Sequence, residues 1–400
     1  MATANENIRD ALIRHQVSLQ RLSAGLGQEA VAILDKTESQ LVADIETAIA
    51  NGATVESDAG LRKLQRLEDV VRAIRTEAID TIAQNAEDSA IALVRHEAEF
   101  TANTLDGKSP VLLDLTLPNA ATLAALVTGN PFEGQLLSTW MDRLAEDDAT
   151  RIVDAVKVGM TRGLSTDDIL RSVVGNGDFN GADGTTQITR NRIGGLLRTA
   201  VNAFSNMARN QVVLANRDVV EFERYTATLD SHTTIICAGL DGNIYKVDEG
   251  RFPPQHFGCR SIRVPALSPT AIGDRPMKPY TERTLVSEFA DANGLDAITR
   301  DDIQRGLKGA FDTWARARVR EMAGTTAAST TYSQFLRGQS AAFQDEVLGA
   351  TKAALFRDGG LPLSGFTNRA GGELTLAQLA QSEAAAFRKA GIDPANYKVS

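Results

Sequence analysis

The stretch from Thr226 to Pro265, TATLDSHTTIICAGLDGNIYKVDEGRFPPQHFGCRSIRVP, constrains this chain more than any other. It holds both cysteines of the protein, Cys237 and Cys259, and two of its four histidines, His232 and His256. It reads as strands and turns, whereas the sequence on either side reads as helix. Phe222, Tyr225, Thr226 and Thr228 are β-branched or aromatic and predict a strand. Asp230-Ser231 marks a turn. Asp241-Gly242-Asn243, between Leu240 and Ile244-Tyr245, has the chemistry of a tight hairpin. Phe252-Pro253-Pro254 is stiff and extended, because each proline fixes its own φ and restricts the residue before it. Arg260 to Val264 predicts a returning strand that ends at Pro265.

The soft donors are spaced His-x4-Cys, then eighteen residues, then His-x2-Cys. A tetrahedral zinc site takes thiolates and imidazoles, and a short ligand pair at each end of a hairpin suits it. The expected set is His232, Cys237, His256 and Cys259, with Asp230 as an alternative to His232 because the first pair is wide. Two other readings stay open: a packed hairpin with a buried thiol and hydrogen-bonded histidines, and a Cys237–Cys259 disulfide. Two cysteines in 400 residues do not suggest an oxidising compartment.

The flanking sequence predicts long helices. Ile8, Leu12, His15, Leu19, Leu22 and Leu26 step by four and three, the spacing of a packed seam, with His15 as a packing residue. Gly25 and Gly27 are expected to interrupt that helix, and Leu34, Leu41, Ile45 and Ile49 resume the stripe. A second helix is expected over 57–104, with Leu64, Leu67, Val71 and Ile74 on its apolar face. A short Asn-Gly-Ala-Thr turn between the two implies an antiparallel pair. Residues 106–133, with Asp106-Gly107, Pro110, Pro118 and Asn130-Pro131, read as a linker containing a strand-like run, Val111 to Leu117.

Residues 134–220 read as a helical unit. Leu136 to Leu144 and Ile152 to Met160 are expected as two helices, and Ser165 caps a third. The Gly-rich loop Gly175–Gly184 has the oxygen spacing of a Ca²⁺ loop but Gln187 where the closing carboxylate belongs, so a plain glycine loop is the better reading. A helix from about Gln187 to Asn216 follows. Arg190, Arg192, Arg198 and Arg209 on it are read as a salt-bridged or solvated face in preference to a phosphate-binding one.

Thr226, Asp230, Thr233, Cys237, Leu240-Asp241-Gly242, Pro253-Pro254, His256, Cys259-Arg260 and Pro265 together resemble the signature of phage Mu protein F-like (MuF) head-morphogenesis proteins, minor capsid proteins of tailed phages. The helix with Arg198-Thr199 and Asn202 fits the same pattern. One departure is Thr234, where some members carry a further cysteine; its loss leaves His232 or Asp230 to complete a ligand set. The resemblance covers roughly residues 134–267 well, the C-terminal third moderately, and the first 105 residues hardly at all. It implies a protein of the virion, inside the head near the portal. It would be present in few copies and would support prohead assembly or genome packaging and delivery. The implied partners are the portal protein and the major capsid or scaffolding protein. An internal virion protein ejected with the DNA is the alternative; a metal-dependent enzyme is another.

Residues 268–285 are proline-rich and read as an extended arm. Residues 286–400 return to helix, with a cap at Thr299 and an apolar set of Phe335, Leu336, Phe343, Val347 and Leu348. The fold expected is mainly α, with helical bundles and long helices around a small β-hairpin Cys/His module. Its parts are 1–105, 106–133, 134–220, 221–267, 268–285 and 286–400.

Bulk properties narrow the function. With 42 basic and 51 acidic side chains the net charge is −9, against a protein whose main work is neutralising nucleic-acid phosphates. DNA contact is therefore not indicated by charge. No apolar run approaches the roughly 20 residues of a membrane span, and MATANENIRD lacks the apolar core of a signal peptide, so synthesis in a host cytoplasm is expected. There is no GxxxxGK[ST] loop and no GxSxG elbow. A Cys259–His256 or Cys237–His232 nucleophile pair would have only Asp230 or Asp241 to orient it. No enzyme is expected.

Overall fold

The computed structural model describes residues 4–109, 113–176, 182–267, 274–295, 298–322, 324–327, 330–368 and 371–397. The architecture is mainly α, with a small three-stranded antiparallel sheet beside a Cys/His group.

Helix α1 spans Ala4–Lys36, α2 Glu38–Ala50 and α3 Asp58–Lys108. α3 has 51 residues, a rod of about 75 Å at 1.5 Å per residue. Ser57 caps it by accepting from the Gly60 N–H. Ile8 and Leu12 of α1 cluster with Leu105 at the end of α3, while Leu41 and Ile45 of α2 cluster with Leu64, Leu67 and Val71 near its start. The α1–α2 arm therefore runs antiparallel to α3.

Gly25 and Gly27 do not interrupt α1, contrary to the expectation. Mid-helix glycine costs about 1 kcal/mol relative to alanine, and at Gly27 the close approach of a facing helix offsets it. A Cβ on Gly27 would meet Gly194 Cα of the facing helix at 3.7 Å. The helix breaks instead at Thr37, whose hydroxyl turns back to the Leu34 carbonyl.

The seam of this pair is covered by the rest of the chain. Helices α4 (Ala120–Gly129), α5 (Leu137–Thr161), α6 (Thr166–Val174) and α7 (Thr186–Ala215) follow. Leu34, Ile79, Ile82 and Val94 share one core with Leu137, Met141, Leu144, Leu197 and Phe204. Each such side chain, fully buried, contributes about 1.5–3 kcal/mol. Residues 113–119 have no regular structure and α4 fills part of the expected linker; Val111 lies outside the described residues. α5 is one helix where two were expected. Glu146-Asp147-Asp148, between the two expected helices, stays helical, with Asp148 drawn into the core by Arg75 and Asp147 paired with Arg192.

The sheet has the order β2–β1–β3, with β1 Phe222–Thr226, β2 Ile244–Lys246 and β3 Ile262–Ala266. Tyr225 lies opposite Arg263, and Arg224 opposite Ile244. The tight hairpin expected at Asp241-Gly242-Asn243 is not formed as such. Leu240 ends a short helix, α8 (Ile235–Leu240), capped by Thr234, and this helix is inserted between β1 and β2.

Past residues 268–273, which lie outside the described residues, the proline-rich segment is not wholly irregular. β4 (Asp274–Met277) pairs with β5 (Gly324–Ala327), and α9 starts at Glu282. Helices α9 (Glu282–Ala292), α10 (Arg300–Asp302) and α11 (Lys308–Met322) follow; Thr299 and Asp302 form a capping box, as expected from Thr299. Five short helices, α12 (Tyr332–Arg337), α13 (Ala341–Leu348), α14 (Ala350–Arg357), α15 (Leu376–Ser382) and α16 (Ala384–Lys389), enclose a second core. Phe335, Leu336 and Phe343 are buried in it, and Val347 and Leu348 pack at its edge.

Candidate functional site

Each side chain of the Cys/His group is set by local chemistry. The Thr234 hydroxyl accepts from the Cys237 N–H, which places Cys237 in the first turn of α8. Its sulfur points inward, into a cluster with Tyr225, Ala227 and Cys259. Between β2 and β3 the chain passes through a cis Pro253–Pro254 bond. Arg263 organises this loop from below. Its guanidinium donates to the carbonyls of Glu249 (3.1 Å) and Arg251 (3.0 Å), pairs with Glu223 and lies over the Tyr245 ring. The Cys259 N–H donates to the His256 carbonyl, closing a turn that turns both side chains toward Cys237. The Gly258 N–H donates to Thr199 of α7, and Phe257 packs edge-on against Trp140 of α5.

The result is a compact set of three donors. Cys237 Sγ is 3.7 Å from Cys259 Sγ and 3.2 Å from His256 Nε2, and all three donor atoms lie within 4.8 Å of one another. Both cysteines are free thiols at 1% exposure. His256 Nδ1 is 2.9 Å from the Phe257 carbonyl. A carbonyl only accepts, so Nδ1 carries the proton and Nε2 presents its lone pair to the sulfurs. The Tyr225 hydroxyl rests on Cys237 Sγ at 3.3 Å.

Electrostatics divide the two thiols. The hydrogen bond from Cys259, helped by Ser261, Tyr225 and Thr234, outweighs burial and lowers Cys237 to about 6. The same contact, together with burial, pushes Cys259 up. His256 is raised: burial opposes its charge, but the Cys259 sulfur, the Phe257 carbonyl and Glu133 together prevail.

His232 is not part of this group, and neither is Asp230. His232 is exposed, with Nδ1 3.4 Å from the Ser231 hydroxyl. Asp230 is claimed by the Arg260 guanidinium, at 2.5 and 2.7 Å, and also accepts the His232 N–H. The wide His232-x4-Cys237 spacing places the two residues on opposite sides of the α8 cap, which is why only one half of the expected set converges. Asp241, weighed as an orienting group or base, instead accepts the N–H groups of Ala227 and Tyr332, both at 2.7 Å. Tyr225 was not anticipated as a neighbour of the sulfurs. Strand periodicity turns Tyr225 and Glu223 to one face, but nothing in the sequence says that this face meets Cys237.

A nucleophilic reading needs a sulfur that a substrate can reach. Neither sulfur is exposed, so the Cys237–His256 pair lacks that property. A second His/Glu group, His15, His96 and Glu97, lies within the helical bundle. There Glu97 is held by Arg209 at 3.2 Å and by His15. The His15 and His96 rings stack, with centroids 5.5 Å apart and planes 20° apart. That group is an ion-pair station centred on the buried Glu97, with His96 at the surface. Arg190 and Arg192 are likewise paired, with Asp35 and Asp147. Most of the α7 arginines are thus neutralised within the chain.

All three donors of the Cys/His group fall inside one stretch with known relatives. Residues 150–263 match the family model described as Phage Mu protein F like protein. This stretch is a Mu F-like segment. A Mu-like prophage FluMu F protein of Haemophilus influenzae (strain ATCC 51907 / DSM 11121 / KW20 / Rd) is 31% identical over 117 residues, 28% of this chain and 28% of that protein. No solved structure matches. The Mu F-like segment begins inside α5 and ends inside β3, so it takes in α6, α7, the inserted α8 and the His256–Cys259 loop. Helices α1 and α3 lie outside it yet share its core. The C-terminal core, for which a moderate resemblance was expected, lies outside it too.

Proposed function

We propose that this chain is a minor head protein of a tailed phage or prophage, associated with the portal and acting in head morphogenesis. The observation that carries the reading is the Mu F-like match over residues 150–263, which coincides with the junction of the helical bundle and the sheet. The sheet and the Cys/His group serve as a rigid recognition module. The bundle, with a helix of 51 residues, and the C-terminal helices supply the arms that reach portal, capsid or scaffold. The net charge of −9 and the internally paired arginines fit protein partners better than DNA. Among the described residues no helix is long and apolar enough to cross a membrane.

The test is quantitative mass spectrometry of purified proheads and mature virions, scaled to the portal protein. A fixed low copy number in both is expected. Absence from both would sink the head-protein reading, and loss from DNA-emptied particles would make it an ejected internal protein. Cys259→Ser should destabilise the module and reduce incorporation; undiminished folding and incorporation would count against the module's role.

A further inference from the structure

We infer that Cys237, Cys259 and His256 form three sides of a structural zinc site, without His232 or Asp230. The inference is independent of the head-protein reading. Its ground is geometry. A tetrahedral ion with Zn–S of about 2.3 Å and Zn–N of about 2.0–2.1 Å separates two sulfurs by about 3.8 Å, and a sulfur from a nitrogen by about 3.6 Å. The sulfurs here are 3.7 Å apart and the sulfur–nitrogen distance is 3.2 Å. A disulfide would need the sulfurs at about 2.05 Å.

The supporting shell has the same logic. The Nδ1–H of His256 is spent on the Phe257 carbonyl, which fixes the tautomer and aims Nε2 at the sulfurs, as in zinc-bound imidazoles. The Tyr225 hydroxyl sits on Cys237 Sγ, a sulfur-supporting contact outside the coordination sphere. Charge balance also fits. Two thiolates and a neutral imidazole around Zn²⁺ give no net charge, which suits a site whose two sulfurs belong to residues only 1% exposed. Binding releases the remaining thiol protons to solvent. The sequence holds only two cysteines, so the fourth ligand is an oxygen or nitrogen donor.

Such an ion would tie three parts together. Cys237 belongs to α8, whereas His256 and Cys259 belong to the loop that touches α7 through Gly258 and α5 through Phe257.

The experiment uses the untagged full chain, reduced, stripped with a chelator and titrated with Co²⁺ and then Zn²⁺. One equivalent of Co²⁺ should bind with thiolate charge-transfer absorption and the intense d–d bands of a four-coordinate ion, and Zn²⁺ should displace it. X-ray absorption on the zinc form should show two sulfur and two nitrogen or oxygen ligands. His256→Ala, at the edge of the group, should lower affinity by more than about a hundredfold while circular dichroism is kept, and Tyr225→Phe by about 10–100-fold. His232→Ala should leave binding unchanged. Failure to take up metal, uptake that survives Cys237→Ser and Cys259→Ser, or loss of binding in His232→Ala would overturn the site. So would a quantitative Cys237–Cys259 disulfide in protein trapped by alkylation on lysis. If the cysteine variants do not fold, the wild-type absorption spectrum and His256→Ala decide.

Discussion

Replacing Asp148 by alanine tests the idea that the bundle is registered by buried charge. Asp148 lies in α5 with no exposed side-chain surface, and its partner Arg75, from α3, is 1% exposed. The Arg75 Nε is 2.5 Å from one carboxylate oxygen, and the Thr189 hydroxyl donates to the other. Asp148→Ala would leave the guanidinium in a dry core with only Thr37 to accept from it, at 2.8 Å. Breaking one side of a buried pair costs about 3–5 kcal/mol, whereas replacing both sides by apolar groups of similar volume is neutral or stabilising.

The assay is urea unfolding followed by Trp140, which lies on the same helix, in a Trp314→Phe background that removes the only other tryptophan. With a slope of about 2–3 kcal/mol/M, the midpoint should fall by about 1–2 M. The double variant Arg75→Met/Asp148→Leu should return to the parent midpoint or exceed it. A shift below about 0.3 M on that slope, or a double variant as unstable as the single, would refute the argument, because the cost would then not come from an unpaired buried charge.

Other outcomes follow from the same coordinates. Burial is the largest influence on Glu97 and raises it, but the His15 hydrogen bond and the Arg209 charge together outweigh it and hold the carboxyl below its ordinary value. A carboxylate lowered on folding contributes stability above its unfolded value of about 4.3 and loses it as pH falls through the folded value. Glu97→Gln should therefore flatten the acid loss of stability in that window; parallel pH profiles would show that Glu97 does not drive it. Asp241→Ala should remove the carboxylate that accepts the Ala227 and Tyr332 N–H groups, at about 1–3 kcal/mol for the Tyr332 N–H. Hydrogen exchange should then quicken at Tyr332 and along α12 but not in α3, and unchanged exchange at Tyr332 would disprove the bridge. Gly250 has φ +75° and a Cβ there would stand 2.1 Å from the Tyr245 ring, so Gly250→Ala should cost at least about 2 kcal/mol in thermal unfolding. An unchanged melting temperature would mean that the loop has another way to seat Tyr245.

Much of the helical architecture was legible in the sequence because it depends on local periodicity. The stripes of α1, α2 and α3, the Ser165 cap and the strand at Tyr225 all follow from spacings within a few turns. The misreadings share a different cause. Gly27 looks like a breaker until Gly194 is opposite it. The stretch between Leu144 and Ile152 reads as a break between two helices until Arg75 arrives from a helix about 70 residues earlier. Asp241-Gly242-Asn243 reads as a tight hairpin, but Thr234 caps a helix that ends at Leu240 just before it. In each case the deciding contact is distant in sequence, and local spacing carries no signal for it. The Cys/His group was half legible for the same reason: His256-x2-Cys259 is a local turn, whereas its meeting with Cys237 is made by the sheet.

Helix α8 shows why the Cys/His group and the C-terminal core should respond together. Ile235 and Ala238, three residues apart and on one helical face, are buried among Phe335, Leu363 and Phe366, while Cys237 faces the opposite way into the sulfur cluster. A six-residue helix has too few internal hydrogen bonds to be stable alone. Its position is set by what it packs on from both sides. The Tyr332 hydroxyl reinforces the link by donating to the Asp230 carbonyl at 2.7 Å, and Asp230 is itself clamped by Arg260, next to Cys259. Displacing Cys237 must therefore either move Ile235 out of the C-terminal core or unwind α8. Because both outcomes expose apolar surface, the Cys/His group acts as a fastener for the C-terminal helices as well as for its own loop.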